Sequence, residues 1–127
     1  MKPFFSVLAI ILLLAGTAFA ELPSATAKEV NQALISGKPT LIDFGLRTCN
    51  VCKKMAPYLE SVASEYRGRA NILFIDVRVD QDVAQKFRVQ MLPAQIFIDA
   101  QGKEVQRHTG YLDKEGIVNG LKSAGVK

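Results

Sequence analysis

The chain has one histidine, two cysteines and no tryptophan among its 127 residues. That poverty of soft ligands excludes a four-ligand zinc site, because beyond the two cysteines only His108 remains. No block of like charge is present either. Lys53-Lys54 is the only adjacent basic pair, and the formal net charge of +4 is interspersed along the chain. A nucleic-acid stripe needs more clustering than that, so no nucleic-acid partner is expected and the mild basicity reads as a solvated surface. There is no repeat, no low-complexity segment and no internal linker, which leaves a single small domain. Nothing points to an oligomer, and a monomer is expected.

What is present begins with a leader-like pattern. Lys2 supplies one positive charge, an apolar run follows from Phe4 to Ala15, and Gly16 and Ala18-Phe19-Ala20 supply the small residues. This reads as a signal peptide over residues 1–20, cleaved after Ala20. The alternative is an uncleaved anchor. The stretch from Phe4 to Ala20 includes Ser6, Gly16 and Thr17 and is short against the roughly 20 apolar residues a span needs. No cysteine follows it, so a lipidated anchor is excluded. Removing Lys2 leaves a domain over residues 21–127 with 15 basic and 12 acidic residues. Export places the thiols in an oxidising compartment such as a periplasm.

Both cysteines lie in Cys49-Asn50-Val51-Cys52, where an apolar, β-prone run passes into a helical pattern. Free backbone N–H groups and the macrodipole at a helix start favour a thiolate. Three residues of separation put both side chains on one helix face, close enough to form a disulfide. A CxxC so placed reads as dithiol–disulfide chemistry. A purely stabilising disulfide explains little, because so short a loop hardly constrains the unfolded chain.

Around this motif the elements are legible. Thr26 and Glu29 make a capping box for a helix ended by Gly37 and Pro39. Thr40–Gly45 reads as a central strand with one anomaly, Asp43. Cys52, Met55, Leu59, Val62 and Tyr66 recur at helical spacing, with Pro57 inside that helix and a kink expected there. Residues 71–79 read as a second strand and residues 80–87 as a short helix. Residues 90–93 form a loop and residues 94–99 a third strand. A turn through Gly102 leads to a fourth strand over residues 103–109, and Asp113 caps a last helix. The order α-β-α-β-α-β-β-α, with its right-handed parallel crossover, gives an α/β fold: a mixed central β-sheet flanked by helices on both faces.

Asp43 is costly between Leu41, Ile42 and Phe44 unless it is neutral or paired. It is either a buried functional acid or a residue on the solvent face of a half-exposed strand. His108, in the fourth strand and far in sequence from the cysteines, reads as a surface residue. Lys53 and Lys54 read as exposed helix charge, Arg47 is open between thiolate partner and surface residue, and Tyr111 reads as packing.

Four landmarks together resemble the thioredoxin-fold family over residues 24–124. Asp43 lies six residues before Cys49, Cys49 and Cys52 form the pair, Pro57 sits in the following helix, and Pro93 precedes a strand and a glycine-turn hairpin. The resemblance implies that Cys49 is the nucleophile and Cys52 the resolving thiol. It implies that Asp43 is the buried acid beneath Cys52 that takes its proton. Pro93 resembles the family's cis-proline, which would leave the Leu92 backbone free to pair with an extended substrate. Leu92 and Met91 would form a substrate rim with Thr48, Asn50 and Val51 beside the cysteines. Met91 taken alone fits a core gap equally well.

The chain also departs from the family pattern. Thr48 stands where tryptophan usually precedes the first cysteine, and Asn50-Val51 stands for glycine-proline. Asp76 aligns with a lysine that often assists the buried acid, so that assistance is expected to be missing. Within the family the chain looks most like exported thioredoxin-like reductases, such as the C-terminal domain of DsbD and those serving cytochrome c biogenesis. The implied partners are oxidised protein substrates and a membrane thiol-electron donor of the DsbD type. No exogenous cofactor is implied, since the redox-active disulfide Cys49–Cys52 is itself the redox centre. The same scaffold also serves disulfide oxidases and isomerases. A Cu(I)-binding protein is the alternative from another class, because two thiolates suit that ion.

Overall fold

The computed structural model of the chain describes residues 21–127. The expected leader and its cleavage point after Ala20 lie outside the described residues.

The sheet is built around β1 (Thr40–Gly45), buried along its whole length. A strand covered on both faces needs a nearly continuous apolar run. β2 (Asn71–Asp76) pairs with it in parallel, and β3 (Ala94–Ile98) pairs on its other edge in antiparallel. β4 (Glu104–Thr109) adds to β3 in antiparallel, giving the order β2-β1-β3-β4. Four helices connect and cover these strands: α1 (Ala27–Leu34), α2 (Asn50–Glu65), α3 (Gln81–Lys86) and α4 (Lys114–Ser123).

Alternation along the strands divides the core in two. Ile42, Phe44, Ile75 and Ile96 face one way and meet Val30 of α1 and Val83 of α3. Leu41, Ile72 and Phe97 face the other way and meet Leu59 and Val62 of α2 with Ile117 and Leu121 of α4. Fully burying a side chain such as Phe97 stabilises the fold by roughly 2–3 kcal/mol. Because Asp43 shares its parity with Leu41, the same alternation turns it toward α2.

The helix starts follow their sequence signals. Thr26 Oγ1 accepts from the Glu29 N–H at 3.2 Å, and Glu29 Oε2 accepts from the Thr26 N–H at 2.8 Å. Asp113 Oδ1 accepts from the Gly116 N–H at 2.8 Å. Pro57 lies inside α2, which continues through it.

The structure corrects one reading and adds one contact. The second strand stops at Asp76 instead of running to Val79. Asp76 Oδ1 accepts from the Arg78 N–H at 2.9 Å, and its carbonyl accepts from Val79 and Asp80. An aspartate that bonds its own backbone two residues on makes a turn, and this outweighs the β-prone valines. The segment before α1, unassigned in sequence, also joins the sheet. Ser24 forms a bridge beside Phe74, and its Oγ accepts from the Asp76 N–H at 2.9 Å at the free edge of β2.

Candidate active site

β1 delivers the chain to the start of α2 through Leu46, Arg47 and Thr48. Cys49 is the N-cap of α2, with an extended backbone. Its Sγ accepts from the Cys52 N–H at 3.2 Å, so sulfur takes the place of the usual cap oxygen. This is the electropositive end of a 16-residue helix. Cys49 is half-exposed, Cys52 is buried, and both are free thiols.

Gly45 makes room for Cys52. A Cβ on Gly45 would stand 2.9 Å from Cys52 Sγ and 3.2 Å from the Phe74 ring. A side chain would push the thiol off the end of β1, so the position needs glycine for close approach. The sequence offered no sign of this beyond the glycine itself.

Asp43 is buried, so it does not lie on a solvent face of the strand. Burial pushes its pKa up from an ordinary 3.8 to about 7, and a hydrogen bond from Gln95 pulls part of the way back. The Cys52 thiol is pushed up to about 12, first by burial and next by its hydrogen bond with Cys49. The Leu46 backbone hydrogen bond opposes that rise, and the charges of Cys49 and Asp43 add to it. Asp43 and Cys52 line one cavity of ≈ 20 Å³ with Leu46, Arg47, Leu59 and Phe74. That is space for about one water molecule. A poised acid and a reluctant thiol therefore share one small chamber beneath the start of α2.

The donor to Asp43 was not anticipated. Gln95, fully buried in β3, donates from Nε2 to Asp43 Oδ1 at 3.0 Å. His108 Nδ1 lies 2.8 Å from Gln95 Oε1. The reading of His108 as a surface residue is thus corrected: it is half-buried and reaches Asp43 through one amide. Register is the reason, since Asp43 pairs with Gln95 and Gln95 pairs with His108 across β1, β3 and β4. The signal in sequence was Gln95 itself, a polar residue inside an apolar strand. Asp76, at the position of the missing lysine, is occupied with the Arg78 backbone.

Met91 is 68% exposed, so it lies at the surface and does not fill the core. Leu92 is half-buried, and the Leu92–Pro93 bond is cis. Thr48, Asn50 and Val51 are exposed beside the cysteines. Lys53 and Lys54 are exposed. Arg47 is held by Glu21 at 3.2 Å and by the Leu22 carbonyl, with its guanidinium 4.2 Å from the Phe74 ring centre. It therefore anchors the N-terminal segment. Tyr111 packs edge-on against Tyr58, with hydroxyls 3.1 Å apart.

A cap-position thiol and a buried partner thiol open α2, a buried acid lies in β1, and a cis-proline immediately precedes β3. The thioredoxin family model matches residues 21–123. The chain belongs to the thioredoxin family. It is 39% identical over 77 residues to a thioredoxin of Staphylococcus saprophyticus, covering 61% of this chain and 73% of that protein. It is 35% identical over 88 residues to a bifunctional thioredoxin reductase/thioredoxin of Mycobacterium leprae, covering 69% of this chain but spanning only 19% of that longer protein. Among solved structures it is similar to chloroplastic thioredoxin z, with a TM-score of 0.70, 27% identity, and coverage of 83% of this chain and 95% of that one. The thioredoxin fold and a protein-disulfide oxidoreductase activity come with that membership. The helix between β2 and β3 also separates the chain from the β-α-β-β-α-β order of copper chaperones.

Proposed function

We propose that this thioredoxin-family protein is an exported reductant of protein disulfides, recharged by a membrane thiol-electron donor of the DsbD type. The observation that carries the reading is the pairing of Asp43, raised to about 7, with Cys52, raised to about 12, around one cavity. At neutral pH such a thiol is almost wholly protonated, and it attacks only if a base takes its proton.

The steps balance as a two-electron exchange. The Cys49 thiolate attacks one sulfur of a substrate disulfide. That S–S bond breaks, a mixed disulfide forms on Cys49, and the departing thiolate is protonated. Asp43 then takes the Cys52 proton. The Cys52 thiolate attacks the Cys49 sulfur, and the substrate leaves with its second thiol reduced. The protein is left with a Cys49–Cys52 disulfide, which the donor dithiol reduces again. Thr48, Asn50, Val51, Met91 and Leu92 form the rim that meets the substrate, and the backbone at Leu92 pairs with it as an added strand.

The reducing direction is read from the buried acid: Asp43 stands where it can serve the attack by Cys52, the step that leaves the substrate reduced. Export rests on the leader-like pattern of Lys2, Phe4 to Ala15 and Ala18-Phe19-Ala20.

Two measurements test these halves separately. The reduced protein should reduce the disulfides of insulin, and inertness toward insulin would remove the reductant role. Full-length protein made in a Gram-negative host should appear outside the cytoplasm with Glu21 as its first residue. Retention inside with residues 1–20 intact would remove export.

A further inference from the structure

Three residues on three adjacent strands form one hydrogen-bonded row: Asp43 on β1, Gln95 on β3 and His108 on β4. Only His108, on the outer strand, is half-exposed. The ends of the row differ chemically. An ionised carboxylate only accepts, whereas an amide has one donating end and one accepting end. If His108 donates from Nδ1 to Gln95 Oε1, the amide is left with Nε2 toward Asp43, as observed. Turned over, the amide would offer Asp43 an acceptor, which suits only the protonated acid.

The geometry points to Gln95 and His108 as positioning residues that hold a hydrogen-bond donor against Asp43 and so govern its readiness to take the Cys52 proton. The inference rests on Asp43 acting as the base for Cys52. Its reason is physical economy. A fully buried glutamine in an apolar strand is costly unless both ends are satisfied. Here one end is satisfied by the acid and the other by the single histidine of the chain.

Other groups near the row are accounted for. From α2, Cys52 faces Asp43, and Met55 Sδ lies 3.8 Å from Gln95 Nε2. Glu21, Arg47 and Lys53 line the same cavity as Asp43, and Arg47 is paired with Glu21. On β4, Glu104 and Arg107 pair with each other at 2.6 Å, and Arg107 also donates to the Phe87 carbonyl at 2.8 Å. Among the described residues Gln95 is the one side chain that donates to Asp43.

The test compares the full protein with Gln95→Leu, His108→Ala and Asp43→Asn. Carboxyl-carbon NMR reads the titration midpoint of Asp43. Stopped-flow mixing of the reduced protein with an aromatic disulfide reads the chemistry. The first coloured thiolate reports attack by Cys49 and the second reports attack by Cys52. Gln95→Leu should move the Asp43 midpoint upward by about one to two pH units, the weight of a hydrogen bond to a charged group. His108→Ala should move it the same way by about half as much. The second release should slow about fivefold near pH 7 in Gln95→Leu, because a one-unit rise leaves about a tenth of Asp43 ionised in place of half.

An Asp43 midpoint within about 0.2 units of the parent in His108→Ala would overturn the inference, even if that variant melts earlier. So would a downward shift in either variant. His108→Ala keeps the core intact, so the result does not hang on whether Gln95→Leu folds. Asp43→Asn separates the two claims. If it leaves the second release unchanged, the base role of Asp43 fails. If it slows the release while the other variants leave the midpoint in place, only the coupling fails.

Discussion

Chemistry at the residue scale turns on protons moved over very short distances. Asp43→Asn keeps the size and the Gln95 contact but removes the proposed base. Attack by Cys52 should then slow by about a hundredfold, the lower range for a positioned general base. In the parent this step should accelerate as pH rises through about 7, where Asp43 ionises. It should level off above that point, whereas the variant should keep rising with pH at a lower rate, which stopped-flow measurements across pH would show. Cys52→Ser should retain attack by Cys49 and stop at the mixed disulfide, visible by mass spectrometry as a covalent substrate adduct. These residues were legible because each breaks a local rule. Two cysteines stood at a helix start, and a carboxylate stood in an apolar strand. Gln95 breaks the same rule, but its partner depends on strand register, which sequence spacing does not show. His108 was misplaced for that reason: its link to Asp43 is lateral across β3 and invisible along the chain.

Packing at the element scale fixes where those residues meet. α4 lies against β3 through Gly120, where a Cβ would come 2.2 Å from the Phe97 ring. Phe97 is fully buried and cannot swing aside. Gly120→Ala should therefore destabilise the fold by about 1–3 kcal/mol, the usual cost of overpacking. Urea unfolding should show an earlier midpoint with an unchanged slope. A neutral result would mean that α4 shifts freely on the sheet. Element type and order were legible from the apolar run of Thr40–Gly45, the helical spacing from Cys52 to Tyr66 and the glycine turn at Gly102. Element ends were less so. The end of β2 is set by the Asp76 side chain against its own backbone, and the Ser24 bridge depends on an edge that exists only once the sheet has formed.

Stability of the whole molecule is bound to the active site through Asp43. Its folded pKa, about 7, lies above the ordinary 3.8 expected of the unfolded chain. The folded state therefore holds the proton more tightly. The stability this contributes is fully present below about pH 4 and is lost as pH rises through about 7. Above that point the protein carries a buried negative charge, and Asp43→Asn does not. The variant should melt several degrees above the parent near pH 8, with the gap closing as pH falls toward about 4. The ceiling is on the order of 4 kcal/mol, from about three pKa units. Equal melting temperatures across that range would mean that burial of Asp43 costs nothing.

The proposed reducing role brings residue, element and molecule together, and it is tested most directly by the reduction potential of the Cys49–Cys52 couple. The measurement is equilibration against a dithiothreitol or glutathione buffer series, with the dithiol fraction read by thiol alkylation. A potential near about −270 mV would fit a protein that gives electrons to oxidised partners and needs a donor to recharge it. A potential near about −120 mV would contradict this, because the couple would then take electrons and hand disulfides on.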